Sequence, residues 1–576
     1  MGQTQKTSGD THTKQVSLYL KHLIQNSSSN PSTNDPSWMT AHFLFTQFPG
    51  LTDVQSKFEF SNFDHRADLY LYQNDRIIPI HLFSLKKTGS IQPKNPGAKS
   101  FLDKYFNLPE AQIQLNSIID QERERLYRYI LDQKNLPHLY LSERDLKKQV
   151  SLLQLNQLES KQYRKMILES IRDQCYSILL KLLNTNHTLI FNGFKELSLI
   201  EEYKVLSIQD INKSIHVEMQ QQTLKSFHNI YLLKKNTSSI YIYIDDFELE
   251  LRFKFESSLS SSIKLATKLS SSIHLTEQLP QQFESINNQF LNTFEDILDS
   301  HTYVPASNNS NAIGRCNEAL LIYRFIKKNP SINIVDAEII HSTFEKHYGN
   351  LNSEMLEQLI TCSETTYHSL SVFLKERFGE FYTIQQVQLV ADSYVSNKLE
   401  TADVIFTINH KNTYIEIPLS LKALKKRNSM MTLKNPGVGS ILSYHYFDIY
   451  DDMQLYIARI KEKYQSDLLT RKEVLSIVSH KITEHLKKAS QTSLESGLRN
   501  MIGTNTSVIS FYQQNMCSIH SYLQVKGPVE VQQTSSTTTR LSWMSGQEEI
   551  RLRVKFSSGA SHGWSSLKLS CERLIK

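Results

Sequence analysis

Two stretches of the chain alternate apolar and polar side chains with a period of two, and both are built in the same order. "LYLYQ" and "VIFTI" each precede a polar turn, which leads into a second alternating run, "IIPIHLF" or "YIEIPLSL". A period of two puts successive side chains on opposite faces, so each pair predicts a hairpin of two half-buried strands. Ala-Asp opens both hairpins, at Asp68 and at Asp403, and Ser-Leu-Lys ends both, at Lys86 and at Lys422. A basic polar segment then closes on Lys-Asn-Pro-Gly, at residues 94–97 and again at 434–437.

Two further correspondences keep that order. "IDDFELELRFKFESSLSSSIKLA" resembles "GQEEIRLRVKFSSGASHGWSSLKLS": an alternating strand, Arg-x-Lys-Phe, a Ser-rich turn and a final Lys-Leu. "KQVSLYLKHLIQN" and "NEALLIYRFIKKN" read as amphipathic helices opening each half, and "SKQYRKMILESIRDQCYSILLKLL" and "TRKEVLSIVSHKITEHLKKA" as helices further on. The boundary is expected in the Pro/Ser/Asn stretch "HTYVPASNNSNAIGRC". The expectation is two lobes, 1–305 and 306–576, each α/β (α+β) around one sheet. So long a period means a fused domain pair, not a solenoid.

Composition bounds the partners more than the fold. At 576 residues one core is not enough. Hydrophobic content of 39% with 21% charged residues suits a globular chain, and a net charge of +6 is compatible with a polyanionic partner without demanding one. The five scattered cysteines have no metal-ligand spacing, which argues against a zinc site and for a reducing compartment. No run is long enough for a membrane span and no signal segment opens the chain, so the expected location is the cytoplasm, with no membrane partner. Gly-rich phosphate loops, His-Glu-x-x-His and Gly-x-Ser-x-Gly are missing.

An aspartate opening one strand of a hairpin and a lysine closing the next resembles the PD-(D/E)XK superfamily of nucleases, which includes many restriction endonucleases. The resemblance implies two tandem restriction-endonuclease-like lobes, each a mixed central sheet flanked by helices, and hydrolysis of phosphodiester bonds in DNA. In that family the aspartate and a second acid hold Mg²⁺ (or Mn²⁺), and the lysine orients the attacking water. The carry-over is Asp403 and Lys422 in the second lobe and Asp68 and Lys86 in the first. The family usually has Asp or Glu two positions before the lysine, where this chain has Ser420 and Ser84. Glu416 shares the face of Lys422 but lies roughly 20 Å away along the strand, too far for a compact site. Family members often donate a glutamate from the opening helix, which implies Glu318; the aligned residue of the first lobe is Gln15. The second lobe is therefore expected to be catalytic, with metal at Asp403 and Glu318. The first lobe is expected to be degenerate at Asp68, Ser84, Lys86 and Gln15.

On this reading Lys425, Lys426, Arg427 and Lys434 neutralise DNA phosphates beside the site, and Lys87 and Lys94 do so in the first lobe. Arg252, Lys254, Arg553 and Lys555 add a second basic edge, and each Lys-Asn-Pro-Gly turn opens a helix whose amides face a phosphate. A single active lobe nicks one strand unless two chains assemble, so a homodimer and a pseudo-dimeric monomer both stay open. The alternative is a non-catalytic nucleic-acid-binding or structural protein that kept the fold after losing the acid.

Overall fold

The computed structural model describes residues 2–26, 35–60, 67–86, 91–134, 136, 141–209, 214–224, 229–272, 275–305, 309–390, 402–442, 446–449, 453–503, 505–520, 525, 527–544, 546, 548–557 and 563–575. The chain forms two compact units, Met1–Leu279 and Pro280–Lys576, each mixed α/β with sheets flanked by helices.

In the N-terminal unit the first sheet runs in chain order through β1 (Leu51–Ser56), β2 (Leu69–Gln73), β3 (Arg76–Lys86), β4 (Tyr203–Gln209) and β5 (Ile215–Gln220). All neighbours are antiparallel except β3 and β4, which are parallel. The helices Gly2–Gln25 and Pro36–Gln47 cover this sheet and bury Val16, Leu20, Trp38 and Leu44 against Leu69, Leu71, Ile80 and Val205. The unit's second sheet is an antiparallel meander of β6 (Ile230–Asn236), β7 (Ser239–Ile244), β8 (Phe247–Phe255) and β9 (Ile263–Ser271).

The C-terminal unit repeats this plan. It adds β10 (Asn333–Val335) at the edge of β11 (Tyr382–Leu389), then β12 (Val404–His410) and β13 (Thr413–Leu424). β14 (Ser429–Lys434) leaves this sheet for the second one, while β15 (Thr506–Phe511) and β16 (Met516–His520) complete the first. From β11 to β16 the order and polarity match β1 to β5, with the one parallel pair again after the hairpin, between β13 and β15. The second sheet is β17 (Glu530–Ser535), β18 (Thr538–Trp543), β19 (Glu548–Phe556) and β20 (Leu567–Ile575), with β14 on the outer side of β20.

Three devices recur in the two units. The hydroxyl of Thr40 meets that of Ser207 on β4, and Thr366 meets Ser510 on β15 at 2.9 Å. The ring of Phe106 lies on Gly193 and that of Phe447 on Gly497, where a Cβ would come within 2.3 Å and 2.0 Å of ring carbons. Finally, each Lys-Asn-Pro-Gly turn is fastened to the last strand of its second sheet. Gly97 bridges Lys264 and Gly437 bridges Lys568, while Pro96 and Pro436 accept from the amides of Leu265 and Leu569. The turn therefore joins two sheets. It leads into a six-residue helix, Phe101–Phe106, in one unit and a three-residue 3-10 turn, Val438–Ser440, in the other, so the expected phosphate-facing helix start is not what it builds.

The helix Leu275–Asp299 spans the division between the two compact units. Phe290 and Phe294 of that helix pack into the C-terminal core. Among the described residues no helix is long and apolar enough to cross a membrane, and the five cysteines are free.

Candidate active site

Asp403 stands just ahead of β12, fixed by its amide donating to the Leu419 carbonyl at 2.7 Å and its carbonyl accepting from Val390. β13 then aims three donors at one carboxylate oxygen. Oδ2 accepts from the Leu421 amide at 2.7 Å, from Ser420 Oγ at 3.3 Å and from the Lys422 ammonium at 3.2 Å. Among the described residues Oδ1 carries no hydrogen bond. Glu318, on the helix Ser310–Lys328, is 5% exposed. Burial, then the charge of Asp403, push its pKa up to about 7, while Arg315, donating to Oε2 at 2.7 Å, acts in the opposite direction. Asp403, Ser420, Lys422 and Glu318 thus form one cluster. Asp403 and Lys422 line an open cleft of about 420 Å³ with Lys434, Asn435, Tyr446 and Lys568.

The type II restriction enzyme BsuRI of Bacillus subtilis is 32% identical to this chain over 583 residues, an alignment covering 99% of each. The chain belongs to this family of type II restriction enzymes. No family model and no solved structure matches it.

Both units of this restriction-enzyme chain carry the aspartate, but the N-terminal copy is differently furnished. Asp68 bonds through its amide to Ile80, and its Oδ2 accepts from the Leu82 amide at 2.9 Å, so Ile80 and Leu82 match Leu419 and Leu421. That register places His81 where Ser420 stands and Phe83 where Lys422 stands. The expected pairing of Ser84 and Lys86 with Ser420 and Lys422 is therefore corrected: Ser84 matches Ala423 and Lys86 matches Lys425. The cause is hairpin length, five cross-strand pairs in β2–β3 against seven in β12–β13. Lys57 donates its backbone amide to Asp68 as Val390 does to Asp403, and its ammonium reaches Asp68 Oδ1 and Asp10 Oδ1, both at 3.0 Å. The oxygen left open on Asp403 is capped on Asp68. His81 is buried and held neutral, down to about 4, by burial and then by the Lys94 charge. Gln15 lies exposed on its helix and accepts from Ser37.

The basic residues divide. Lys425, Lys426 and Arg427 are exposed on the loop joining β13 to β14, whereas Lys434 is 6% exposed and donates to the Asn500 carbonyl at 2.6 Å. Lys434 is a wall of the cleft, not a solvent-facing cation. Lys94 is half-buried, Ser84 is exposed, and Lys87 lies outside the described residues. Sequence reasoning passed over Lys568 as a cleft residue. Its signal was present in the Lys-Leu that ends both of the repeated strand passages, Lys264 and Lys568.

Among the described residues no group of three His, Cys, Asp or Glu side chains is placed to hold a metal ion. Asp403 and Glu318 are carboxylates of the kind Mg²⁺ takes, one or two at a time, with water and substrate phosphate filling its shell. Burial and the charge of Asp403 make ionisation of Glu318 costly, and a cation beside it would relieve that cost.

Proposed function

We propose that this chain is a metal-dependent DNA endonuclease of the PD-(D/E)XK kind, with tandem restriction-endonuclease-like units and its hydrolytic site in the C-terminal one. The observation that carries the reading is the Asp403 carboxylate, one oxygen fixed by Leu421, Ser420 and Lys422, the other without a hydrogen bond among the described residues, with the buried Glu318 close enough for its charge to be felt. Asp403 and Glu318 would hold Mg²⁺ or Mn²⁺, which when bound supplies charge for the phosphoryl oxygens and a lowered pKa for water. Lys422 holds the attacking water by hydrogen bond, oriented by its own contact with Asp403. Ser420 helps fix the carboxylate. Lys434 and Lys568 set positive charge along the cleft where the phosphodiester backbone lies. The N-terminal unit is non-hydrolytic on this account, because Lys57 fills the place a cation would take and Phe83 cannot hold water.

The test is supercoiled plasmid incubated with the protein and Mg²⁺, or with a chelator. Nicked or linear product with Mg²⁺ alone, lost in Glu318→Gln, is the expected result. Plasmid retained on a gel but uncut under every metal condition would overturn the reading in favour of a non-catalytic DNA-binding protein.

A further inference from the structure

We propose that the open face of the second sheet in the N-terminal unit is a binding site for the phosphate backbone of DNA, formed by Arg252, Lys254, Lys264 and Lys268. On β8 the side chains of Leu249, Leu251, Phe253 and Phe255 point into the core. Alternation therefore gives Glu250, Arg252 and Lys254 to the other face. On β9 Lys264 stands directly opposite Lys254, and Lys268 opposite Glu250. Arg252 and Lys268 are exposed, and the two facing lysines are half-buried.

Like charges directly opposite one another destabilise a sheet. Here burial and then the charge of Arg252 hold the Lys254 ammonium below its usual pKa. Among the described residues none of the four cations has an ion pair or a side-chain hydrogen bond. The acid on the face does not relieve them: Glu250 accepts from Ser239 Oγ at 2.7 Å and from the Tyr241 hydroxyl. Beside them lies a hollow of about 220 Å³, lined by Gln92, Glu250, Arg252, Thr267 and Lys268, with room for a phosphate group and several waters.

The C-terminal unit shows what neutralisation from within looks like. Arg553, the counterpart of Arg252, pairs with Glu572 at 2.6 Å, and Lys555 reaches Ser570 Oγ at 3.4 Å. Glu572 occupies the position that Lys268 holds in the N-terminal unit. There, an anion from outside completes the set. Rigid strands offering cations without base-reading geometry suit phosphates, a contact that grips duplex DNA independently of sequence. The inference rests on the reading of the chain as a DNA endonuclease for its choice of anion.

The experiment uses the full-length protein and a fluorescent DNA duplex in chelator, with affinity measured across a salt series. Arg252→Gln with Lys264→Gln is expected to make the slope of log affinity against log salt shallower by about two. Lys268→Gln alone, at an exposed position, is expected to change it by about one. Arg553→Gln with Lys555→Gln should change it by clearly less than the N-terminal pair. Slopes equal to wild type in both N-terminal variants, or a larger effect from the C-terminal pair, overturn the proposal. Wild-type protein that cuts while the N-terminal variants bind normally sinks this inference alone. Protein that never cuts but shows the expected slopes sinks the nuclease reading alone.

Discussion

In both units an aspartate ahead of a hairpin strand takes a backbone amide from the facing strand, Leu82 in one and Leu421 in the other. The surroundings then diverge. The C-terminal aspartate has Lys422 on the facing strand, a buried glutamate nearby and, among the described residues, one oxygen without a hydrogen bond. The N-terminal aspartate has Phe83 in the lysine's place, a buried neutral histidine beside it and Lys57 on the second oxygen. The hydrogen-bond frame that holds the aspartate is thus separable from the groups that equip it. One frame holds its aspartate near a buried glutamate; the other holds the same acid with a tethered ammonium.

The comparison is broken hardest by importing the cap. Val390→Lys places a lysine where Lys57 stands, within reach of the open Asp403 oxygen. It should lower the Mg²⁺-supported cutting rate by about a hundredfold in a plasmid assay, whereas Val390→Met should not. Next come the shared packing contacts. Gly193→Ala and Gly497→Ala each drive a Cβ into a buried phenylalanine ring and should destabilise their own unit by about 1–3 kcal/mol, read by calorimetric melting.

Two buried groups, one in each unit, should respond to pH with opposite signs. His81, depressed to about 4 in the fold, contributes stability that is present above the unfolded value of 6.5 and lost as pH falls toward 4. Glu318, raised to about 7, contributes stability present below its unfolded value of 4.5 and lost as pH rises through about 7 in metal-free protein. Between pH 8 and pH 5 the stabilising contribution of His81 should fall and that of Glu318 should rise, the second read as the difference in stability between wild type and Glu318→Gln in metal-free protein. The smallest effect belongs to the buried hydroxyl pairs: Thr40→Val and Thr366→Val should each cost about 1 kcal/mol in chemical denaturation.

Much of this frame could be read from the chain. "LYLYQ" alternates and is β2, residue for residue, because a half-buried strand leaves its period in the sequence. The repeated Lys-Asn-Pro-Gly marked a shared structural element, but its docking partners, Lys264 and Lys568, lie more than a hundred positions downstream, where no local pattern points. The repeated Ser-Leu-Lys was misleading for a related reason. Its register depends on hairpin length, which only the backbone pairing reveals, and two residue pairs of difference moved Lys86 off the position of Lys422. Glu318 was visible as an acid at one position of an amphipathic helix. The role of Lys57 was not, since its partner Asp68 is met only through the pairing of β1 with β2. Lys434 read as a solvated cation because a basic run carries no sign of which member the fold will bury.

The central claim is that phosphodiester hydrolysis lies in the C-terminal unit alone, and one assay addresses it directly. Supercoiled plasmid is incubated with Mg²⁺ and wild-type protein, Asp403→Asn or Asp68→Asn, and the rate of nicking is measured. The account predicts that Asp403→Asn stops cutting while Asp68→Asn cuts within a few fold of wild type, about the spread left by a change outside the site. Loss of cutting in Asp68→Asn, with or without loss in Asp403→Asn, would contradict it and place working chemistry in the N-terminal unit.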